Sequence, residues 1–287
     1  SLLQGVLMVV LPAIGQPTVR KVTGNDGFAI AHLTTLGVVP AGYVGGLLGD
    51  KTKNAEEIKL PEYLDFFKDT SMSVSIVMGI FYLLVVILAG PTLVAEYAGS
   101  TNYIIYGLLK AMGFTAGILV LLQGVRMFLG ELVPAFKGIS DKLVPGAIPA
   151  LDVPALFAFA PNSLMIGFVS SVIGMIVAMF VSSVVFKVVP LVSIIGGFFT
   201  GGVAGIYGNA RGGIRGAVVA GFVYGFLLIF GSAFLSTIFD YAAYGAAGVG
   251  HDCLDVMVTM GLLKYPYIGI AVIVAAFAGL CWANRKK

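Results

Sequence analysis

The chain has 287 residues, of which 59% are hydrophobic and only 11% are charged, and its mean hydropathy is +1.01. This composition excludes a soluble globular domain, and the formal net charge of +3 gives no electrostatic footprint for nucleic acid. Several uncharged runs exceed the roughly 20 residues that span a bilayer core, while the alternating polarity of a β-barrel is absent. The predicted fold class is therefore an all-α polytopic membrane protein.

The chain begins with a hydrophobic segment at residues 2–14, which we interpret as the end of a span leading into a polar turn at 19–26. Because the first residue is a serine inside a hydrophobic run, we expect an N-terminal part to precede it. Glycines and prolines are frequent, as in close-packed and broken membrane helices. Further spans are predicted at 71–95, 103–136, 163–186, 216–239 and 265–283, with a short glycine-rich segment at 191–207.

Asp152 lies in a segment that three prolines interrupt. Pro149, Pro154 and Pro161 exclude one continuous helix, because each lacks a backbone N–H and disfavours helix in the residue before it. Non-helical backbone at membrane depth is tolerated only where it is buried in protein or lines a cavity. A lone carboxylate beside it therefore indicates a functional site, and a solvated aspartate in a surface loop is the alternative.

A second interrupted segment, residues 27–40, is also apolar and carries His32 as its ionisable group. His32 stands eight residues before Pro40, and Asp152 stands nine before Pro161. Paired interrupted segments in corresponding places are the sequence pointer to a transporter binding site. We therefore predict a degenerate internal repeat with two re-entrant hairpins, whose tips carry His32 and Asp152.

Three other features have weaker signals. In the polar linker at 50–70, a stretch from Pro61 predicts either an amphipathic helix on the membrane surface or a plain solvated linker. Residues 208–216 resemble a phosphate-cradling loop but lack a preceding strand and the Lys-Ser/Thr pair, so we predict a basic turn between helices near a docking partner. The cluster of His251, Asp252, Cys253 and Asp255 matches no metal-site spacing, and we predict no metal site.

Long sequence strings resemble the L-ascorbate-type membrane (IIC) subunit of the bacterial phosphotransferase system. They are Gly-Glu-Leu-Val-Pro-Ala-Phe-Lys-Gly at 130–138 with Pro-Ala-Leu-Asp at 149–152, the run from Gln16-Pro17 to Gly37, and Gly-Asn-Ala-Arg-Gly-Gly at 208–213. The resemblance covers essentially the whole chain. Members of that family are longer at the N-terminus, so the resemblance implies that the first spans of the repeat precede this chain.

The resemblance implies an elevator-type homodimer in the bacterial inner membrane, with a mobile core that slides against a scaffold domain. Residues 1–49 then form the core segment with the first hairpin, 50–70 the linker with an interfacial helix, and 71–130 the scaffold helices. Residues 131–287 form the core segment with the second hairpin and the C-terminal spans. The closing Arg285-Lys286-Lys287 predicts a cytoplasmic C-terminus by the positive-inside rule.

The implied function is translocation of L-ascorbate or a related sugar acid, coupled to its phosphorylation by a cytoplasmic IIB partner that IIA loads. The chain is then a permease subunit without catalytic residues or cofactors of its own, because it has no credible phosphorylatable module. An ion-coupled elevator carrier of small organic anions and a non-transporting membrane subunit are the alternatives. The predicted substrate-binding residues are His32, Thr34, Thr35, Asp152, Asn162 and Ser163.

Overall fold

A computed structural model describes residues 2–58, 70–240 and a few separate positions between 265 and 278. The predicted interfacial helix from Pro61, the cluster at His251 and most of the predicted last span lie outside the described residues. The chain divides into two compact units. The first unit comprises residues 1–57 and 131–287, and the second unit comprises residues 58–130.

The second unit contains α3 (Thr70–Ala98) and most of α4 (Tyr103–Lys142), which continues into the first unit. Helix α3 bends at Gly90, which has a φ of 78° and precedes Pro91. A left-handed conformation before a proline suits glycine, because glycine has no Cβ to clash there. This break accounts for the bend in an otherwise long apolar helix.

The first unit is built around α7 (Gly202–Ile238), which packs against α2 (Thr35–Leu48) and α5 (Pro161–Val185). Small residues allow the close approach, since a Cβ added to Gly167 of α5 would lie 2.6 Å from the Cα of Gly205 in α7. Such glycine contacts are typical of membrane helices that pack backbone to backbone. The elements of this unit are α1 (Leu2–Thr23), β1 (Ala29–Ile30), α2 (Thr35–Leu48), a 3-10 turn (Ala55–Glu57), β2 (Ala150–Leu151), a second 3-10 turn (Val153–Leu156), α5 (Pro161–Val185), α6 (Ile194–Gly196), a π-helical turn (Gly197–Gly201) and α7 (Gly202–Ile238).

The turn predicted between helices at 208–216 is narrower than expected, because only Gly212 and Gly213 depart from helical geometry and the residues on either side of them are helical. Helix α7 is kinked at this glycine pair, where the φ of Gly213 is 60°. The kink frees backbone groups that the start of the linker satisfies: the Asp50 N–H donates to the Gly212 carbonyl at 2.8 Å, and the Ile214 N–H donates to the Lys53 carbonyl at 2.8 Å. The glycine pair therefore anchors the linker to α7.

The predicted turn at 19–26 begins later than expected, because α1 continues to Thr23 through Pro12 and Pro17. Thr18 and Val19 are buried, so packing holds the helix beyond the prolines that favour its interruption. The chain reverses at Gly24, which has a φ of 71°. Tertiary burial here overrides the local signal.

Four helices of the described residues are long and apolar enough to cross a membrane, which confirms the predicted all-α membrane class. The two short strands form a single two-stranded pair within this helical architecture. The candidate spans are Val74–Ala98, Tyr103–Lys142, Pro161–Val185 and Ile194–Ile238.

Candidate functional site

The two interrupted segments meet through the parallel pairing of β1 and β2. Ala29 lies opposite Ala150, and Ile30 lies opposite Leu151. The N–H of Ala29 donates to the Pro149 carbonyl and that of Ala31 donates to the Leu151 carbonyl, both at 2.9 Å. Two non-helical segments that are far apart in the sequence are thus held side by side.

Asp152 follows directly after the paired Leu151, His32 follows the paired Ile30 after one intervening residue, and the two side chains come together at the end of the strand pair. The Nε2 atom of His32 lies 3.8 Å from Oδ1 of Asp152. This distance is too long for a hydrogen bond but short enough for direct electrostatic interaction. The His32 side chain is 28% exposed and that of Asp152 is 68% exposed, so the carboxylate is open to a ligand.

Hydrogen bonds to the backbone orient both side chains. His32 Nδ1 accepts from the N–H of Thr34 at 3.0 Å, which places the proton of the neutral imidazole on Nε2, on the side of Asp152. Asp152 Oδ1 accepts from the N–H of Val153 at 2.7 Å and caps the 3-10 turn that follows. Its Oδ2 accepts no hydrogen bond from any described residue.

Burial lowers the pKa of His32 from its ordinary value, and the negative charge of Asp152 raises that pKa in part. The neutral imidazole is therefore the favoured form at neutral pH. In this form His32 presents one N–H donor beside a free carboxylate oxygen. The pair can recognise a hydroxyl group or an oxygen-rich ligand by donating and accepting at adjacent points.

Thr34 and Thr35 lie at the start of α2 and are both buried. The hydroxyl of Thr34 is hydrogen-bonded to the hydroxyl of Tyr224 in α7, so its side chain joins two helices. The hydroxyl of Thr35 is buried without a hydrogen-bond partner among the described residues. These two predicted site residues are thus buried, whereas the His32 side chain is partly exposed.

Asn162 and Ser163 lie in the first turn of α5, and the carboxylate of Glu56 binds both. Glu56 Oε2 accepts from the Asn162 N–H at 3.1 Å, and Oε1 accepts from the Ser163 N–H at 2.8 Å and from its hydroxyl at 2.5 Å. A carboxylate is favourable at a helix N-terminus, because it satisfies free N–H groups and the positive end of the helix dipole. Sequence reasoning missed Glu56, which lies in the linker.

Side-chain hydrogen bonds of Asn209 in α7 and Asn162 in α5 also attach the linker to these helices. Asn209 donates to the side-chain oxygen of Asn54 at 2.8 Å and accepts from the N–H of Ala55 at 2.9 Å. The side chain of Asn162 donates to the Ala55 carbonyl at 3.1 Å. Asn209 belongs to the Gly-Asn-Ala-Arg-Gly-Gly string, so the role of that string in this structure is to hold the linker.

Comparison with known proteins decides the family of this chain. The model of the sugar-specific permease component of the phosphotransferase system, EIIC-GAT, matches residues 1–282. The chain belongs to this permease family. It is therefore an integral membrane protein of a class that is described as the sugar-specific permease component of the phosphotransferase system.

The name of one relative of this chain includes a substrate. The ascorbate-specific PTS system EIIC component of Mycoplasma pneumoniae is 36% identical over 176 residues, covering 54% of this chain and 27% of the relative. The aligned stretch thus spans about a quarter of that protein's length. The resemblance that the sequence strings indicated is confirmed at the level of the family.

Proposed function

We propose that this permease translocates L-ascorbate or a related sugar acid and that a cytoplasmic IIB partner phosphorylates the substrate. The observation that carries the proposal is the His32–Asp152 pair, at 3.8 Å, where two interrupted segments meet. Family membership supplies the transport class, and the substrate named for the relative supplies the sugar acid.

The chemistry of the pair suits such a substrate. A sugar acid combines vicinal hydroxyls with an anionic oxygen. The Nε2–H of His32 donates to an oxygen of the ring or enolate, while the free Oδ2 of Asp152 accepts from a hydroxyl. In this proposal Thr34, Asn162 and Ser163 act as positioning residues through their hydrogen bonds to Tyr224 and Glu56, and the unpaired hydroxyl of Thr35 remains a candidate for substrate binding.

Asp152 is also suited to act as the general base in the phosphoryl transfer to the substrate. In the proposed reaction, a substrate hydroxyl attacks the phosphorus of a phosphocysteine on the IIB partner. The new O–P bond forms as the S–P bond breaks, the cysteine leaves as thiolate, and Asp152 takes the hydroxyl proton. The phosphoryl donor stays on the partner chain.

The conformational part of the proposal assigns the first unit to the mobile core and the second unit to the scaffold of an elevator-type homodimer. The segments that carry His32 and Asp152 act as the two re-entrant hairpins, consistent with the proline-interrupted backbone on both sides of the strand pair. The C-terminus then lies on the cytoplasmic side.

Uptake by membrane vesicles containing the natural polypeptide tests the coupling. With the cytoplasmic phosphotransferase proteins inside, we expect labelled ascorbate to accumulate as its phosphate ester only when phosphoenolpyruvate is supplied. Accumulation of unmodified ascorbate driven by a cation gradient would instead establish the ion-coupled carrier. Transport of other sugars but not of sugar acids would overturn the substrate assignment alone.

A further inference from the structure

A basic cavity of about 350 Å³ lies in the first unit, and its lining includes neither His32 nor Asp152. It is formed by parts of α1, α2 and α7 together with the beginning of the linker. Lys21, Lys51 and Arg211 contribute to its wall, and no described residue that lines it is acidic. Three cations around one cavity indicate an anionic ligand.

Arg211 is the best-placed of these cations. Its guanidinium carbon lies 4.2 Å from the centre of the Tyr43 ring and 5.9 Å from that of Tyr207, so cation–π contacts fix its position. Its Nη1 is buried and makes no hydrogen bond to any described residue. Buried N–H groups normally have a partner, and a guanidinium matches the oxygens of a phosphate group.

No described carboxylate forms an ion pair with any of the three cations that line this cavity. Glu56 and Glu57 line an adjoining cavity that shares Lys21 and Lys51 with it. Lys21 donates one hydrogen bond to the Ala210 carbonyl, which leaves two of its three donors. The three cations therefore keep donors for an anionic ligand.

The wall on the α2 side is apolar and open. Tyr43 is 60% exposed and Leu47 is 83% exposed, and both line the cavity. A free phosphate ion makes no favourable contact with an apolar wall, whereas the acyl chains of a lipid pack against it. Basic pockets between membrane helices bind anionic lipid headgroups.

We propose that this basic cavity binds the headgroup of an anionic phospholipid, with the phosphate at Arg211, Lys21 and Lys51 and the acyl chains along Tyr43 and Leu47. The bound lipid neutralises Arg211 and joins α2 to the kinked part of α7. This inference rests on the cavity alone and stands whether or not the transported substrate is ascorbate.

Native mass spectrometry of the intact natural protein tests the proposal, with phosphatidylglycerol and phosphatidylcholine supplied at equal concentration. We expect selective retention of phosphatidylglycerol. The double variant Lys51→Gln/Arg211→Gln should weaken that affinity about 25-fold, because each cation near an anionic lipid contributes roughly fivefold. The control Lys53→Gln/Arg215→Gln removes two exposed cations of the same region that do not line the cavity, and should weaken it less than about threefold.

Each other outcome has a defined meaning. Equal retention of the two lipids, or equal losses in the two double variants, would overturn the proposal. Displacement of the lipid by millimolar inorganic phosphate would show that a free phosphate is the ligand and overturn the lipid assignment. Lys51→Gln alone, at an exposed position, should still lower the affinity about fivefold if the double variant does not fold.

Discussion

The Nε2 atom of His32 lies 3.8 Å from Oδ1 of Asp152, although the two residues belong to segments far apart in the sequence. The pairing of β1 with β2 holds them there, and backbone N–H groups orient both side chains. One donor and one free acceptor therefore stand side by side at the end of the strand pair.

The His32–Asp152 pair predicts that removing the charge of Asp152 changes the pKa of His32. Its pKa lies below the ordinary 6.5 because burial outweighs the charge of Asp152, so Asp152→Asn should lower it further. The pKa of His32 is lower in the folded protein than in the unfolded chain, so burial of the neutral imidazole favours the folded state above pH 6.5. This contribution to the free energy of unfolding is lost as the pH falls through the folded pKa. Nuclear magnetic resonance of 15N-histidine protein measures this directly, since the chain has only two histidines.

Asp50→Asn is the matched control for that titration, because it removes an exposed carboxylate of the same unit. It should leave the pKa of His32 unchanged. A pKa that does not move in Asp152→Asn would show that the two side chains do not interact in solution.

The contact of Glu56 with α5 predicts a stability effect at an otherwise ordinary linker residue. Glu56→Gln removes the charge at the helix N-terminus and turns an amide donor towards N–H groups, so the free energy of unfolding should fall by about 2 kcal/mol. Reversible unfolding of the detergent-solubilised protein measures it. The neighbouring Glu57→Gln, at an exposed position, should cost less than about 0.5 kcal/mol, and equal losses would contradict the role of Glu56.

The kink in α7 predicts that Gly213 tolerates no side chain. Its φ is 60°, and an added Cβ would collide with the carbonyl oxygens of Asp50 and Lys53. Gly213→Ala should therefore lower the free energy of unfolding by about 2 kcal/mol or more. Gly138→Ala in α4 meets no atom within 4 Å and should be neutral or slightly stabilising; the same behaviour at both positions would show that the kink is not required.

The hydrogen bond between Thr34 and Tyr224 predicts that Thr34 acts on the fold more than on the ligand. Thr34→Val should lower the free energy of unfolding by about 1 kcal/mol and change ascorbate affinity less than about threefold. Thr34→Ser keeps the hydroxyl and should preserve both. A large loss of affinity in a stable Thr34→Val protein would place this hydroxyl in contact with the substrate.

Local signals in the sequence were enough to predict the broken backbone around His32 and Asp152, because proline and glycine act within a few residues. The equivalence of the two segments then predicted that both residues belong to one site, and the structure brings them together. The continuation of α1 beyond the predicted span at 2–14 and the helical geometry on both sides of Gly212 and Gly213 were not predicted, since tertiary packing outweighs the prolines and glycines there. Glu56 could not be found from sequence, because its partners in α5 are distant along the chain and a linker carboxylate has no distinctive pattern.

The most direct test of the account is calorimetric titration of ascorbate into the natural polypeptide, as wild type and as Asp152→Asn. Loss of a charged hydrogen-bond acceptor should weaken binding by at least about tenfold, while Asp50→Asn should bind as the wild type does. Unchanged ascorbate affinity in a folded Asp152→Asn protein would contradict the assignment of the His32–Asp152 pair as the substrate site.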